Sequence, residues 1–244
     1  MSNQTEGIVF KTIEECQVRL IGRTVLTTND SLLGDYLPCL AARVSYASDD
    51  KTGKNEEDDK RLMRYLAEHG HTSPFEYQHA VIMIECPLFV RSQIMRHRTF
   101  SFNEISRRYT SKEIGFWIPS NIRGHDTSGS NKQGSVDNVF SHTFQDSVIN
   151  EYKSFCTEAY MFYRMLVDSG VALEQARSVL PQSLLTRFYM GGVLRNWMHF
   201  LKLRLDDHAQ HETRVIAKKI LDILMSVWPV STSILCLSNS QSGA

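Results

Sequence analysis

No sign of charge predominates in this chain: 27 lysines and arginines balance 27 aspartates and glutamates. A protein whose main task is gripping DNA or RNA carries a basic excess, so the balance speaks against nucleic acid as a partner. Long apolar runs are missing too. None approaches the roughly 20 residues that span a bilayer, and Met1 to Glu15 is polar, without the apolar core of a signal peptide. A membrane is therefore not an expected partner. Cysteine is scarce and scattered: Cys16, Cys39, Cys86, Cys156 and Cys236 stand alone. Without a Cys-x-x-Cys pair, neither a zinc knuckle nor a thioredoxin-type site is readable. An odd count without framework spacing fits a reducing cytoplasm. No internal repeat is visible. The chain has 244 residues, 42% of them hydrophobic and 22% charged. That is one domain or at most two small ones, with enough length to bury a sizeable core.

Hydrophobic period and chain breakers place the elements. Strands are expected over Val18 to Thr27, Tyr77 to Cys86 and Leu184 to Met190, the last broken by Gly191-Gly192. Helices are expected over Asp35 to Tyr46, Glu57 to His69, Pro87 to Arg98, Asp137 to Gly170, Glu174 to Leu180, Leu194 to Leu205 and Asp206 to Val227. Acids crowd the first turn of the second helix and Gly70 stops it. Lys51 to Asp58 reads as a charged connector. The aromatics and methionines of 137–170 read as core or subunit interface. Ser120 to Asp137, rich in Ser, Gly and Asn, reads as a flexible loop.

One stretch departs from this even texture. Arg96 to Tyr109 holds four arginines, a histidine, one carboxylate and two serines within fourteen residues. A guanidinium presents a planar fork of donors that suits phosphate and carboxylate, and one acid cannot neutralise four. Phe100, Phe102, Ile105 and Tyr109 are interleaved with the polar groups, so the segment is expected to be half-buried, and buried arginines need partners. From Phe100 onward the pattern suits an extended or looped backbone with one polar face. On the preceding helix, about 100° per residue puts Gln93, Arg96 and His97 on one arc, with Arg91 and Arg98 on another. On the helix after Gly192, Arg195, His199 and Lys202 share a side and Arg204 lies apart.

Histidines offer a competing reading. His69 and His71 flank a turn with Thr72 and Ser73, and His208, His211 and Glu212 cluster later. Together they lack a local third ligand, so no metal is expected. A binding protein that uses the arginine and aromatic run for phosphates and stacking is a further alternative.

The run from Arg96 to Tyr109 resembles the signature of flavin-dependent thymidylate synthases, with no mismatch at a defining residue. Three further blocks resemble that family in the expected order: His69 to Glu76, Ala176 to Pro181 and Leu201 to Gln210. The resemblance implies an α/β (α+β) fold, a central, mainly antiparallel sheet flanked by helices, in a single catalytic domain over 1–244. A flexible loop over about 120–137 and a disordered tail over about 238–244 go with it. It implies reductive methylation of deoxyuridylate (dUMP) to thymidylate. Methylenetetrahydrofolate would be the carbon donor, reduced FAD the hydride donor and NADPH the reductant, in a homotetramer with sites at subunit interfaces. Carried over by position, Ser73, Arg96, His97, Arg98, Glu104, Arg195 and His199 would contact FAD. Gln93, Arg96, Glu104, Ser106, Arg107, Arg108, Arg177 and Arg204 would hold dUMP, and Arg204 would activate the uracil ring. The Pro-Cys-His setting of the folate-only synthases is absent, since Pro38-Cys39 is followed by Leu40, so no cysteine nucleophile is implied. Ser92 stands where many members carry arginine, and Gly192-Val193 where asparagine is usual.

Overall fold

The computed structural model describes residues 8–25, 34–53, 55–126, 134–137 and 139–241. Strand β1 (Val9–Lys11) and β2 (Val18–Arg23) lead into α1 (Leu37–Arg43) and α2 (Glu56–Glu68). β2 ends at Arg23, short of the expected Thr27; residues 26 and 27 lie outside the described residues. Asn55 caps α2, its side chain accepting from Glu57 N and Asp58 N, so the helix starts inside the expected connector. Gly70 leaves it at φ +70°, a conformation glycine adopts without a Cβ penalty.

A tight 3-10 turn at Ser73–Glu76 precedes β3 (His79–Pro87). The chain passes directly from β3 into α3 (Leu88–Ile94), turns, and returns as β4 (Ser101–Glu104) and β5 (Gly115–Trp117). Helix α3 is shorter than its sequence pattern suggests. Met95 closes it, and Arg96 N and His97 N bond back three residues, to Gln93 O and Ile94 O. Arg96, His97 and Arg98 therefore lie on a turn, and the expected helical arcs do not extend to them. The two-residue strands β6 (Gly124–His125) and β7 (Ser135–Val136) pair antiparallel within the expected flexible loop, of which 127–133 lie outside the described residues. Helix α4 (His142–Asp168) comes next, capped by Ser141, then the short α5 (Leu173–Ala176), β8 (Leu185–Val193), α6 (Leu194–Arg204), α7 (His211–Val227) and α8 (Pro229–Gln241). Residues 206–210, expected to open the α7 helix, form the connection before it. Helix α8 runs to Gln241, into the tail expected to lack order; 242–244 lie outside the described residues.

The main sheet is antiparallel in the order β2-β3-β8-β4, and β1 and β5 form a separate parallel pair. β3 and β8 pair over their whole length, from His79 opposite Val193 to Pro87 opposite Leu185. Their apolar residues, among them Ile82, Ile84, Phe188 and Met190, are fully or almost fully buried against Trp197 and Phe200 of α6 and Ile216 and Ile220 of α7. Burial of that kind, rather than local propensity, holds such a sheet together.

β8 does not break at its two glycines. Gly191 pairs with Val81 and Ser101, and Gly192 with Ala80. A Cβ built on Gly192 would lie 2.4 Å from the Phe100 ring. The glycine is there so that Phe100 can rest on the strand itself, in edge contact with Trp197 at 4.7 Å. That contact fixes the turn carrying Arg96, His97 and Arg98. Among the described residues, no helix is long and apolar enough to cross a membrane.

Candidate active site

Because α3 and α6 leave opposite ends of the paired strands β3 and β8, the expected site residues fall into two groups. The first surrounds the turn after α3. His97 is buried there, its ring edge-on to Phe200 at 4.9 Å and to His199 at 6.2 Å. Burial, with the positive charge of Arg204 and then His199 adding, pulls its pKa down to about 4, so the imidazole is neutral near pH 7. Arg204, the last residue of α6, donates from Nε to His97 Nε2 at 2.9 Å and from Nη2 to the Gln93 carbonyl at 3.0 Å. His97 accepts at Nε2, so its proton sits on Nδ1. Both acceptors of Arg204 are neutral. Its guanidinium is fixed in place without being neutralised, and burial together with Arg96 lowers its pKa from the usual arginine value.

Gln93 is a junction. Its carbonyl holds Arg204, its Oε1 accepts from Thr213 Oγ1 at 3.0 Å, and its amide nitrogen donates to Gln210 Oε1. Arg96 and Arg98 are exposed, and their side chains have no hydrogen-bond or ion-pair partner among the described residues. Near the start of α6, Arg195 pairs with Glu76 at 2.5 Å, which ties the helix to the 3-10 turn bearing Ser73. Ser73 opens into a cleft of about 870 Å³ walled by Tyr46, Tyr65, His71 and Tyr77. His199 is exposed one turn further along α6. Asn196 was not among the expected residues, yet its amide donates to Thr99 O at 3.0 Å and fastens the turn to α6. Its spacing of three from His199 was the available signal.

The second group lines a cleft of about 510 Å³ at the other end of β8, which includes Arg91, Ser92, Glu104, Ser106, Arg107 and Arg177. Glu104 is held by Arg91, through Nε at 3.0 Å and Nη2 at 2.6 Å, and by Thr186 Oγ1 at 2.6 Å. Arg91 was not among the expected site residues. The Arg107 side chain turns inward, donating to Lys112 O and, at 2.9 Å, to Glu113 O; burial lowers its pKa. Ser106 Oγ accepts from Arg108 N at 3.3 Å, and the Arg108 side chain pairs with Glu174 at 3.3 Å near the surface. Arg177 is exposed and has no side-chain partner among the described residues.

The histidines do not converge. His208 bonds Asp206 and His211 faces Glu14, while His69 and His71 stack beside Tyr65. Among the described residues, no three potential ligands come together around one point. Cys39 is fully buried, donates to Asp59 O, and is pushed up to about 12 by burial.

An antiparallel sheet wrapped by helices is the fold of a known class of nucleotide methylases. The UMP/dUMP methylase PolB from Streptomyces cacaoi, solved with 5-Br dUMP, superposes with a TM-score of 0.79 at 27% identity over 93% of this chain and 96% of that one. The same methylase solved with 5-Br UMP gives 0.79 at 28% identity over 95% and 97%. Residues 30–230 match the family described as thymidylate synthase complementing protein. The flavin-dependent thymidylate synthase of Thermosipho africanus is 37% identical over 213 residues, 87% of this chain and 91% of that one. That of Thermus thermophilus is 40% identical over 202 residues, 83% and 72%. This chain belongs to the flavin-dependent thymidylate synthase family, and it is a methyl-transferring enzyme.

Proposed function

We propose that the enzyme converts dUMP to thymidylate, with methylenetetrahydrofolate as carbon donor, and that Arg204 activates the uracil ring. The observation that carries this is the setting of Arg204: two neutral acceptors fix it and, among the described residues, no carboxylate pairs with it. C5 of uracil is a weak nucleophile. A pre-positioned cation beside the ring carbonyl and N3 stabilises the negative charge that develops as C5 attacks the one-carbon unit, as an oxyanion hole does. Arginine does this without losing its own proton.

Gln93 and Arg96 flank the same base-binding region. Arg108, Arg177 and the backbone at Ser106 and Arg107 offer donors for the 5′-phosphate, with Glu104 held ready by Arg91. These groups come from opposite ends of β8, so one nucleotide would be shared between the cleft of one copy and the Arg204 region of another. A homotetramer with sites at its interfaces accounts for that division. Phe144, Phe155 and Phe162, spaced eleven and seven apart, form an exposed stripe along α4 suited to a subunit contact.

The family implies FAD, which supplies hydride when reduced and which NADPH would regenerate. The donor set fits: Arg96, Arg98 and Arg195 offer guanidiniums for a diphosphate, beside Ser73, neutral His97 and His199. Glu104 would reach the cofactor from the neighbouring copy. No cysteine takes part in this scheme, in keeping with thiols that burial pushes up throughout, Cys16 and Cys39 to about 12. An odd cysteine count without framework spacing suits a reducing cytoplasm.

The test is thymidylate formation by purified protein given dUMP, methylenetetrahydrofolate and NADPH at low oxygen, with and without FAD. Product that depends on flavin is expected. Absence of product from flavin-loaded protein, or equal product from flavin-free protein, would overturn the reading.

A further inference from the structure

Behind Gln93 lies a line of hydrogen bonds that takes no part in activating the uracil ring or holding the phosphate. It begins at Glu212 in the first turn of α7, a carboxylate only 4% exposed. A buried carboxylate must find donors, and Glu212 has two: Arg123 Nη2 on one oxygen and Gln210 Nε2, at 2.8 Å, on the other. Arg123 comes from the strand-entry loop before β6, far away in sequence.

The chemistry of the groups fixes the direction of every bond in the line. A carboxylate only accepts, so Gln210 turns its NH2 to Glu212 and its carbonyl the other way. That carbonyl faces Gln93, so Gln93 turns its NH2 to Gln210 and leaves its own oxygen to the Thr213 hydroxyl. Each amide has its polarity set by the group before it. An amide without such a chain can flip through half a turn, exchanging donor for acceptor.

We propose that Glu212 is a positioning residue which, through Gln210, fixes the orientation in which Gln93 presents its amide to the pyrimidine. This rests on the reading of Gln93 and Arg204 as ligands of the base. A base with distinct carbonyl and N–H edges is recognised only when the protein's amide faces one way. Glu212, which does not touch the nucleotide, would then tune nucleotide affinity. Arg123 holds the carboxylate in place.

The competing account is that Arg123 and Glu212 form an ion pair of purely structural use. Three variants separate the two: Gln210→Ala, Glu212→Gln, and the exchange Gln210→Glu with Glu212→Gln. Gln210 is solvent-exposed and makes no side-chain cap on α7, so Gln210→Ala leaves the fold intact. Calorimetric dUMP binding to the full-length, flavin-loaded protein is the readout, with KM for dUMP and for the folate measured in parallel.

Gln210→Ala and Glu212→Gln should each raise the dUMP Kd about tenfold, the worth of one hydrogen bond, with the folate KM unchanged. The exchange variant should recover to within about threefold, because a carboxylate at 210 accepts from Gln93 directly. A wild-type Kd in Gln210→Ala would overturn the relay. So would an exchange variant as impaired as Glu212→Gln, which would mark the pair as structural. Wild-type protein that binds no dUMP would overturn the functional reading and the relay together; a binding wild type with an unaffected Gln210→Ala would remove the relay alone.

Discussion

Arg107 and Arg98 stand nine positions apart in one arginine-rich stretch and do opposite things. Arg107 is turned inward, donating to the carbonyls of Lys112 and Glu113, and only 7% exposed. Arg98 is exposed on the turn after α3 without an acidic partner among the described residues. Arg204 stands between the two, held by neutral acceptors as Arg107 is, yet only partly buried. Local charge density therefore says little about function. What matters is whether a guanidinium's donors are consumed by carboxylates, consumed by neutral acceptors or left open.

The sharpest test of that division is Arg204→Ala. Turnover should fall about a thousandfold, the scale of losing a principal electrostatic stabiliser, while flavin stays bound and the spectrum of the flavoprotein is unchanged. Flavin loss with full turnover on re-addition would place Arg204 with the open class. Next in size, Arg107→Ala should cost about 2 kcal/mol in a denaturant titration, because the carbonyls of Lys112 and Glu113 lose a charged donor. A silent Arg107→Ala would mean the inward turn does no structural service.

The third test concerns the neutral acceptor. The pKa of His97 is depressed in the folded protein, to about 4, against about 6.5 unfolded. Its contribution to stability is complete above about pH 6.5 and drains away as pH falls towards 4, since the unfolded chain binds the proton first. Between pH 7 and pH 5 the loss should be about 2 kcal/mol, read from denaturant midpoints. His97→Gln should flatten that part of the profile. Smallest of all, Arg98→Ala should leave the melting temperature in place and weaken flavin binding about tenfold. A large fall in melting temperature would erase the contrast with Arg107.

β3, β8 and most helices were legible because their apolar periods match the burial observed, whereas β1, β5 and α8 were not expected. β3 reads as buried and is buried from Ala80 through Cys86 except for partly exposed Val81 and Glu85. Three features were not legible for physical reasons. Gly191-Gly192 looks like a break, but an aromatic ring from elsewhere in the chain makes glycine the only residue that fits in an unbroken strand. Helix α3 was expected to reach Arg98, but a cap at Met95 ends it early. The partners of the expected site residues were not legible either. The pairing of Arg91 with Glu104 and the bond from Arg204 to His97 join positions 13 and 107 residues apart, and no local pattern encodes such a distance.

The missing side chain at position 192 has a reach beyond its own strand. Phe100 rests on bare backbone there, and the turn that carries Arg96, His97 and Arg98 hangs from Phe100. A single methyl group at that spot would lift the ring, and with it the turn, away from Asn196 and Arg204. The alignment of the proposed site is thus gauged by a residue that contributes no side chain to it, the way a shim sets the height of a part it never moves.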